Sequence, residues 1–234
     1  MKLSLDIFIV FLLIILILKI TQEEINSDIN LLNNSYNTKF SFNKLNFNYY
    51  NFITKLIINP RSSKNFLNIL KKLNINNKDV ILDIGSGDGY NLLYFNKFYN
   101  FKKIYGIEID QNIYNISKNN INLIKNKKIS IIKNDILKFE IPNNVNYIYL
   151  FNPFQKNYIT NYFLNEKNHI KSYEILINNI NKSLNLKDRK ITIIFVNINS
   201  QIISLFKKHF KLKYNGKVHV NLFLNTNYAI FTSK

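Results

Sequence analysis

Apolar residues first run unbroken along this chain, then thin out, then settle into alternating short and helical patterns. Residues 7–18, IFIVFLLIILIL, are twelve apolar residues held between Asp6 and Lys19. Residues 21–48 are polar and Asn-rich without a period, the pattern of a tether. Apolar positions at helical spacing return over 49–59 and 62–73, with Pro60 between them. From residue 79 onward β-branched runs alternate with helical stretches. VILDI (80–84), KKIYGIEI (102–109), KISIIK (128–133), NYIYLF (146–151) and KITIIFV (190–196) read as strands. Residues 90–98, 111–125 and 169–184 read as helices among them. A helix over 200–209 and two consecutive strands, 212–220 and 227–232, close the chain. Strands apolar on both faces and alternating with helices specify a parallel sheet covered on two sides. The two consecutive strands at the end predict a hairpin, with one strand antiparallel.

At 234 residues and 47% hydrophobic, the chain can bury one substantial core, which excludes global disorder. Residues 1–20 are expected to form a transmembrane or signal-anchor helix, residues 21–48 a tether, and residues 49–234 the folded domain. Twelve apolar residues span about 18 Å of helix, short of a hydrocarbon layer of about 30 Å, so an uncleaved anchor needs Asp6 and Lys19 near the interfaces. The polar TQEEIN that follows lacks a small-x-small cleavage signature. A cleaved signal and a buried or interfacial helix are the alternatives.

Cysteine is absent, which removes disulfides, thiolate metal sites and cysteine nucleophiles. The three histidines, His169, His209 and His219, have no metal-ligand spacing, and no metal is expected. The formal charge is +18, from 32 Lys+Arg against 14 Asp+Glu, a balance that points to nucleic acid or an anionic membrane face. Arg61 and Arg189 are the only arginines, however, and arginine is the preferred reader of phosphate and base. Asn, Ile, Lys, Phe and Tyr share AT-rich codons, so nucleotide bias alone also accounts for the charge.

The chemistry concentrates after the first strand, in Asp83-Ile-Gly85-Ser86-Gly87-Asp-Gly89. Glycines there permit a tight turn and close approach of a ligand to the main chain beside a helix N-terminus. Tyr90 replaces the last glycine of a dinucleotide fingerprint, and no Gly-Lys-Ser/Thr follows to make a phosphate loop. Asp83 attracts a cationic ligand and opposes a pyrophosphate. Glu108 closes the second strand, where an acid accepts both hydroxyls of a ribose. These features fit a ligand with an amino-acid end, a ribose and no phosphates.

The stretch resembles motif I of the class I S-adenosylmethionine-dependent methyltransferases, matched by Asp83, Gly85, Gly87 and Gly89, with Ser86 inside the turn. The resemblance covers about residues 60–234. It implies S-adenosylmethionine as cofactor and a mostly parallel seven-stranded α/β sheet of order 3-2-1-4-5-7-6, with helices on both faces. It also implies Glu108 on the ribose, Asp135, beside Asn134, near the adenine amino group, and Ile109 and Ile136 flanking the adenine ring.

The fourth strand runs into Asn152-Pro153-Phe154, at the carboxyl edge where open α/β sheets bind ligands. This is similar to the Asn/Asp-Pro-Pro-Tyr/Phe motif of amino-group methyltransferases, with one proline in place of two. The resemblance makes Asn152, Pro153 and Phe154 the catalytic residues, the Asn oxygen and a backbone carbonyl accepting from the target amine and the ring packing on it. A plain turn is the alternative. His169 is either a base for O-methylation or a surface histidine. Residues 155–168 form either a lid over substrate or an amphipathic turn.

The function expected from the sequence is methylation of an amine nitrogen on a protein or small molecule by a membrane-tethered enzyme. A nucleic-acid methyltransferase, acting on RNA or DNA, is the alternative, as is a non-catalytic basic module on the same fold. Because the cofactor is made in the cytosol, the catalytic domain is expected to face it, against the slight preference of Lys2 for placing the amino terminus inside.

Overall fold

The computed structural model describes residues 69–124, 126–151, 153–154, 166–185, 189–221 and 224–234, together with residue 16. The chain divides into two compact units, residues 1–71 with 219–225 and residues 72–218 with 226–234. The first lies almost wholly outside the described residues, and with it the expected anchor and tether. Of the helix expected over 62–73, residues 69–73 are described: 69 and 70 are helical, and 71–73 form a turn and bend, so the helix ends before the expected boundary. Among the described residues no helix is long and apolar enough to cross a membrane.

Seven strands, β1 (Val80–Ile84), β2 (Lys103–Glu108), β3 (Ile129–Lys133), β4 (Tyr147–Phe151), β5 (Thr192–Val196), β6 (Lys211–Asn221) and β7 (Leu224–Thr232), form one sheet of order β3-β2-β1-β4-β5-β7-β6. This is the order the sequence resemblance implies. The pairings of β1 with β2 and β4, of β2 with β3 and of β4 with β5 are parallel. β7 runs antiparallel to β5, pairing Val196 with Tyr228 and Thr192 with Thr232. The four described helices are α1 (Tyr90–Phe98), α2 (Gln111–Ile124), α3 (Glu166–Asn185) and α4 (Ser200–His209). β6 and β7 extend beyond the expected 212–220 and 227–232, so that Asn221, Asn225 and Thr226 lie within the strands.

Central position explains the strand compositions. β1 is buried along its whole length, so both pleat faces demand apolar residues and the alternation typical of a half-exposed strand disappears. One face packs Leu82, Ile148, Ile193 and Phe195 with Tyr173, Ile177 and Ile180 of α3 and with Phe206 of α4. Phe95 of α1 meets Tyr149 edge-on at 5.4 Å between ring centroids, and Tyr149 follows Ile148 in β4 and so points to the other face. α4 opens with an Asn199 cap whose Oδ1 accepts from the Ile202 N–H at 2.9 Å, satisfying one of the helix's orphan donors.

Gly106 sits in the interior of β2, where glycine is a weak strand former and marks close approach of another element. A Cβ there would lie 2.6 Å from Leu92 Cδ1 and 2.8 Å from Ser86 Oγ. α1 and the turn before it are therefore seated directly on the β2 backbone. Gly106→Ala is expected to lower stability by about 1–3 kcal/mol, the usual cost of overpacking a closed core, and urea unfolding of the purified protein measures it.

Candidate functional site

The turn between β1 and α1 is fastened to β2 by its own backbone. The N–H groups of Gly85 and Ser86 both donate to the Ile107 carbonyl, at 2.9 and 3.0 Å. The Gly87 N–H donates to Glu108 Oε2 at 3.0 Å. Glu108 Oε1 accepts from the N–H groups of Ile109 and Asp110 at 2.8 and 2.9 Å. Glu108 is thus buried and charge-assisted, and one carboxylate shapes both strand ends. With three of about four acceptor positions used by the protein, it retains capacity for a ligand donor.

Gly87 has φ +58°, and a Cβ placed on it meets nothing within 4 Å. The turn therefore presents bare backbone to open space, as close approach of a ligand requires. Behind the turn, a Cβ on Gly89 would lie 2.5 Å from Ser117 Oγ of α2, and Asn120 Nδ2 donates to the Asp88 carbonyl at 2.9 Å. Neither Ser117 nor Asn120 is signalled by the sequence motif, since contact between α2 and the turn exists only after both have packed on β2.

Asp83 is 1% exposed. Its side chain is hydrogen-bonded to Asn91, while Oδ2 has no partner among the described residues. Burial, reinforced by the nearby charge of Glu108, pushes its pKa up to about 8. A buried acid with an orphaned oxygen is costly unless something donates to it, and a cationic amino group suits it chemically. The same Asp83 raises the pKa of Tyr149, its register partner on β4, whose own burial is the larger cause.

Past β3, Asn134 Oδ1 accepts from the Asp135 N–H at 2.8 Å, and its own N–H donates to the Glu108 carbonyl at 3.2 Å. Asp135 Oδ1 accepts from the Leu137 N–H at 2.9 Å. The two acid-bearing ends, of β2 and β3, are therefore held together. Ile109 is 60% exposed at the end of β2 and offers an apolar surface there. Ile136 is 7% exposed and belongs to the core cluster. The acids, the exposed glycine turn and the Ile109 surface all fit S-adenosylmethionine.

Pro153 lies against the same turn. A Cβ on Gly85 would sit 3.4 Å from Pro153 Cβ, so the β1 and β4 ends adjoin. Phe154 packs edge-on to Tyr173 at 4.8 Å between ring centroids, and Tyr173 is in turn wedged against Phe195 and Phe206. His169 stacks edge-on against the same Tyr173 at 5.1 Å and is half-buried. Asn152 and residues 155–165 of the expected lid lie outside the described residues, and α3 begins at Glu166, three residues before the expected start. Among the described residues no group of acids and histidines could hold a metal ion.

Residues 51–229 match the family described as ribosomal RNA adenine dimethylase, in accord with the methyltransferase resemblance of the glycine turn. The rRNA adenine N-6-methyltransferase of Clostridium perfringens is 32% identical over 96 residues, 38% of this chain and 38% of that protein. The protein of the same name from Limosilactobacillus reuteri is 37% identical over 87 residues, 37% of this chain and 34% of that one. The matched region is thus little more than a third of these relatives' length. Among solved structures, a methyltransferase from Pyrococcus furiosus is similar at TM-score 0.56 and 15% identity, covering 90% of this chain and 96% of that one. TrmK of M. capricolum, solved with S-adenosyl-homocysteine, is similar at TM-score 0.51 and 20% identity, covering 72% and 67%. At these identities the structural likeness is one of fold.

Asp83 yields a pH prediction. Its folded pKa is raised above the unfolded value, so the native state holds an extra proton between about pH 4 and pH 8. Stability of the ligand-free protein falls as pH rises through that window and levels off above it. Affinity for a cationic ligand moves the other way, rising toward pH 8 as the carboxylate forms. Asp83→Asn is expected to flatten both profiles, stabilising the free protein at alkaline pH by about 1–3 kcal/mol while weakening S-adenosylmethionine binding at least about tenfold. Thermal unfolding and calorimetric titration across pH measure the two.

Proposed function

Because the chain belongs to the ribosomal RNA adenine dimethylase family, we propose that it transfers methyl groups from S-adenosylmethionine to the exocyclic amine of an adenine in RNA. The observation that supports this reading is the closeness of Pro153 to the glycine turn, where a Cβ on Gly85 would sit 3.4 Å from Pro153 Cβ; with the loop after β4 taken as the amine acceptor, target and methyl donor would adjoin. The amine nitrogen expected from the sequence is kept, but its carrier changes. The family match and the names of the curated relatives favour RNA over the protein or small molecule preferred in the sequence reading.

In this reading Asp83 receives the amino group of the cofactor, Glu108 its ribose hydroxyls, and Asp135 and Ile109 its adenine end. The cofactor supplies an electrophilic methyl group. The protein's task is to align the target nitrogen in line with that methyl and to exclude water. An adenine amine is a poor nucleophile because its lone pair is delocalised into the ring. Acceptors at Asn152 and at a carbonyl of the following loop draw its protons and return the pair to nitrogen. Phe154, braced on Tyr173 and through it on the core, supplies a ring for the unstacked base to lie against. The catalytic unit, residues 49–234, is placed in the cytosol, where the methyl donor is made. Residues 1–20 as an anchor are a separate proposal on which this reading does not depend.

The direct test is methyl transfer from labelled S-adenosylmethionine to unmodified ribosomal RNA transcribed in vitro, followed by nucleoside digestion. Label is expected in N6-methylated adenosine. Label that enters protein or small molecules and never RNA would overturn the reading. Glu108→Ala is expected to weaken cofactor binding by about 1.5–3 kcal/mol, from lost charge-assisted hydrogen bonds and a loosened turn; calorimetry showing wild-type affinity would remove Glu108 from the site.

A further inference from the structure

The last acidic residue in the chain is Asp188. From Arg189 to Lys234 every charged side chain is basic, and this stretch supplies β5, α4, β6 and β7, one whole side of the sheet. The site acids occupy the other side, with Asp83 in β1, Glu108 closing β2 and Asp135 just past β3. Codon bias raises lysine throughout a chain. It gives no reason for carboxylates to be missing from one edge of the folded sheet.

β6 is the outermost strand of that edge, and Lys211, Lys213 and Lys217 on it are exposed. Between them Tyr214 is 38% exposed. Its ring lies 5.5 Å from Lys213 Nζ and 5.8 Å from Lys72 Nζ, centroid to nitrogen. Lys72 is itself fixed, donating to Tyr228 Oη at 3.0 Å. Gly216 lets the strand lie against the Tyr228 ring, since a Cβ there would meet Cε1 at 3.2 Å. The last turn of α4 adds Lys207, Lys208 and His209.

We propose that this edge, β6 with Lys72 and the end of α4, docks the sugar–phosphate backbone of RNA, with Tyr214 as a stacking surface for an unpaired base. The inference rests on the RNA-methylating reading and adds to it where the strand lies. Lysines serve as sequence-independent point charges on phosphates, and an aromatic ring flanked by cations is the composition of single-strand binding surfaces. Exposed lysines around a single exposed ring, Tyr214, suit a polyanionic strand, which takes point charges on its phosphates and a ring against a base. β4, which leads into the Pro153–Phe154 loop, is three strand spacings from β6, about 14 Å across the sheet. A short run of nucleotides covers that distance. Because the Lys208 carbonyl accepts from Lys234 beside the start of β5, a bound strand also has to run along the length of β6 to reach that loop from the end of α4.

Lysines on an edge strand also guard against strand-to-strand aggregation, so the test must separate the roles. The triple variant Lys211→Gln/Lys213→Gln/Lys217→Gln is compared with Lys102→Gln/Lys127→Gln/Lys128→Gln, which removes equal charge from exposed positions at the starts of β2 and β3. The probe is a labelled RNA hairpin with an adenine-containing loop, titrated by fluorescence anisotropy over a range of KCl. The β6 triple variant is expected to bind about tenfold or more weakly, with a log–log salt slope shallower by about two. The second triple should change affinity less than about twofold, and both should bind S-adenosylmethionine as the wild type does. Tyr214→Leu should weaken RNA binding about fivefold at an unchanged salt slope. No loss in the β6 variant, or equal losses in the two triples, overturns the proposal. So does loss of binding to phosphatidylserine vesicles with RNA binding intact. A wild-type chain that binds cofactor but not this RNA or ribosomal RNA defeats the functional reading itself, whereas methyl transfer to RNA that the β6 variant leaves untouched defeats only this surface.

Discussion

Three backbone N–H groups, those of Gly87, Ile109 and Asp110, converge on the Glu108 carboxylate, and the shape of the glycine turn and of the β2 end depends on that convergence. A carboxylate at a strand end is ordinarily free to reorient toward water. Here its orientation is set by donors from two segments, the glycine turn and the loop after β2. The turn is in consequence held at a fixed distance from β2, assisted by the bonds of Gly85 and Ser86 to the Ile107 carbonyl. Asp83 is buried beside that turn, with Oδ2 unpaired among the described residues. A buried, partly unsatisfied acid is costly, and shifted pKa values of this kind concentrate at functional sites.

A second constraint acts on the far side of β1. Just past the end of β4 the chain is anchored to the core. Phe154 achieves this by resting on Tyr173, which is fully buried among Phe195 and Phe206. An aromatic chain of this kind ties Phe154 to the close-packed core. His169 caps the same tyrosine. Its ring contact accounts for its half-buried position without a proton-transfer role.

The parallel topology distributes charge as well as shape. Strand ends of β1, β2 and β3 bring Asp83, Glu108 and Asp135 to one side of the sheet, and the acid-free stretch from Arg189 places only basic groups on the other. β4 lies between them. In the proposed reading, a cationic cofactor and a polyanionic substrate would have separate electrostatic surfaces on either side of β4, which would limit their competition for the same groups.

Much of this was legible in the sequence. The apolar runs located all seven strands and the described helices to within a few residues, because a strand buried on both faces has to be apolar throughout and a covering helix has to repeat at 3.6. The spacing of Asp83, the glycines and Glu108 pointed to S-adenosylmethionine as cofactor, because a tight turn and a ribose-binding acid demand those residue types at those places. The charge alone could not be assigned, since lysine count carries no position. Tertiary structure decided which strands became neighbours, and with them the contacts of Gly106 with Leu92, of Gly89 with Ser117 and of Gly85 with Pro153. It also decided that Glu108 would shape the turn, that Asp83 would be buried with an orphaned oxygen, and that Lys72, Lys213 and Tyr214 would meet at one edge. The physical reason is common to all of these. Local periodicity reports how each segment divides its surface between core and water, but the partner that completes a hydrogen bond or fills a gap belongs to a segment distant in sequence, and only packing brings the two together.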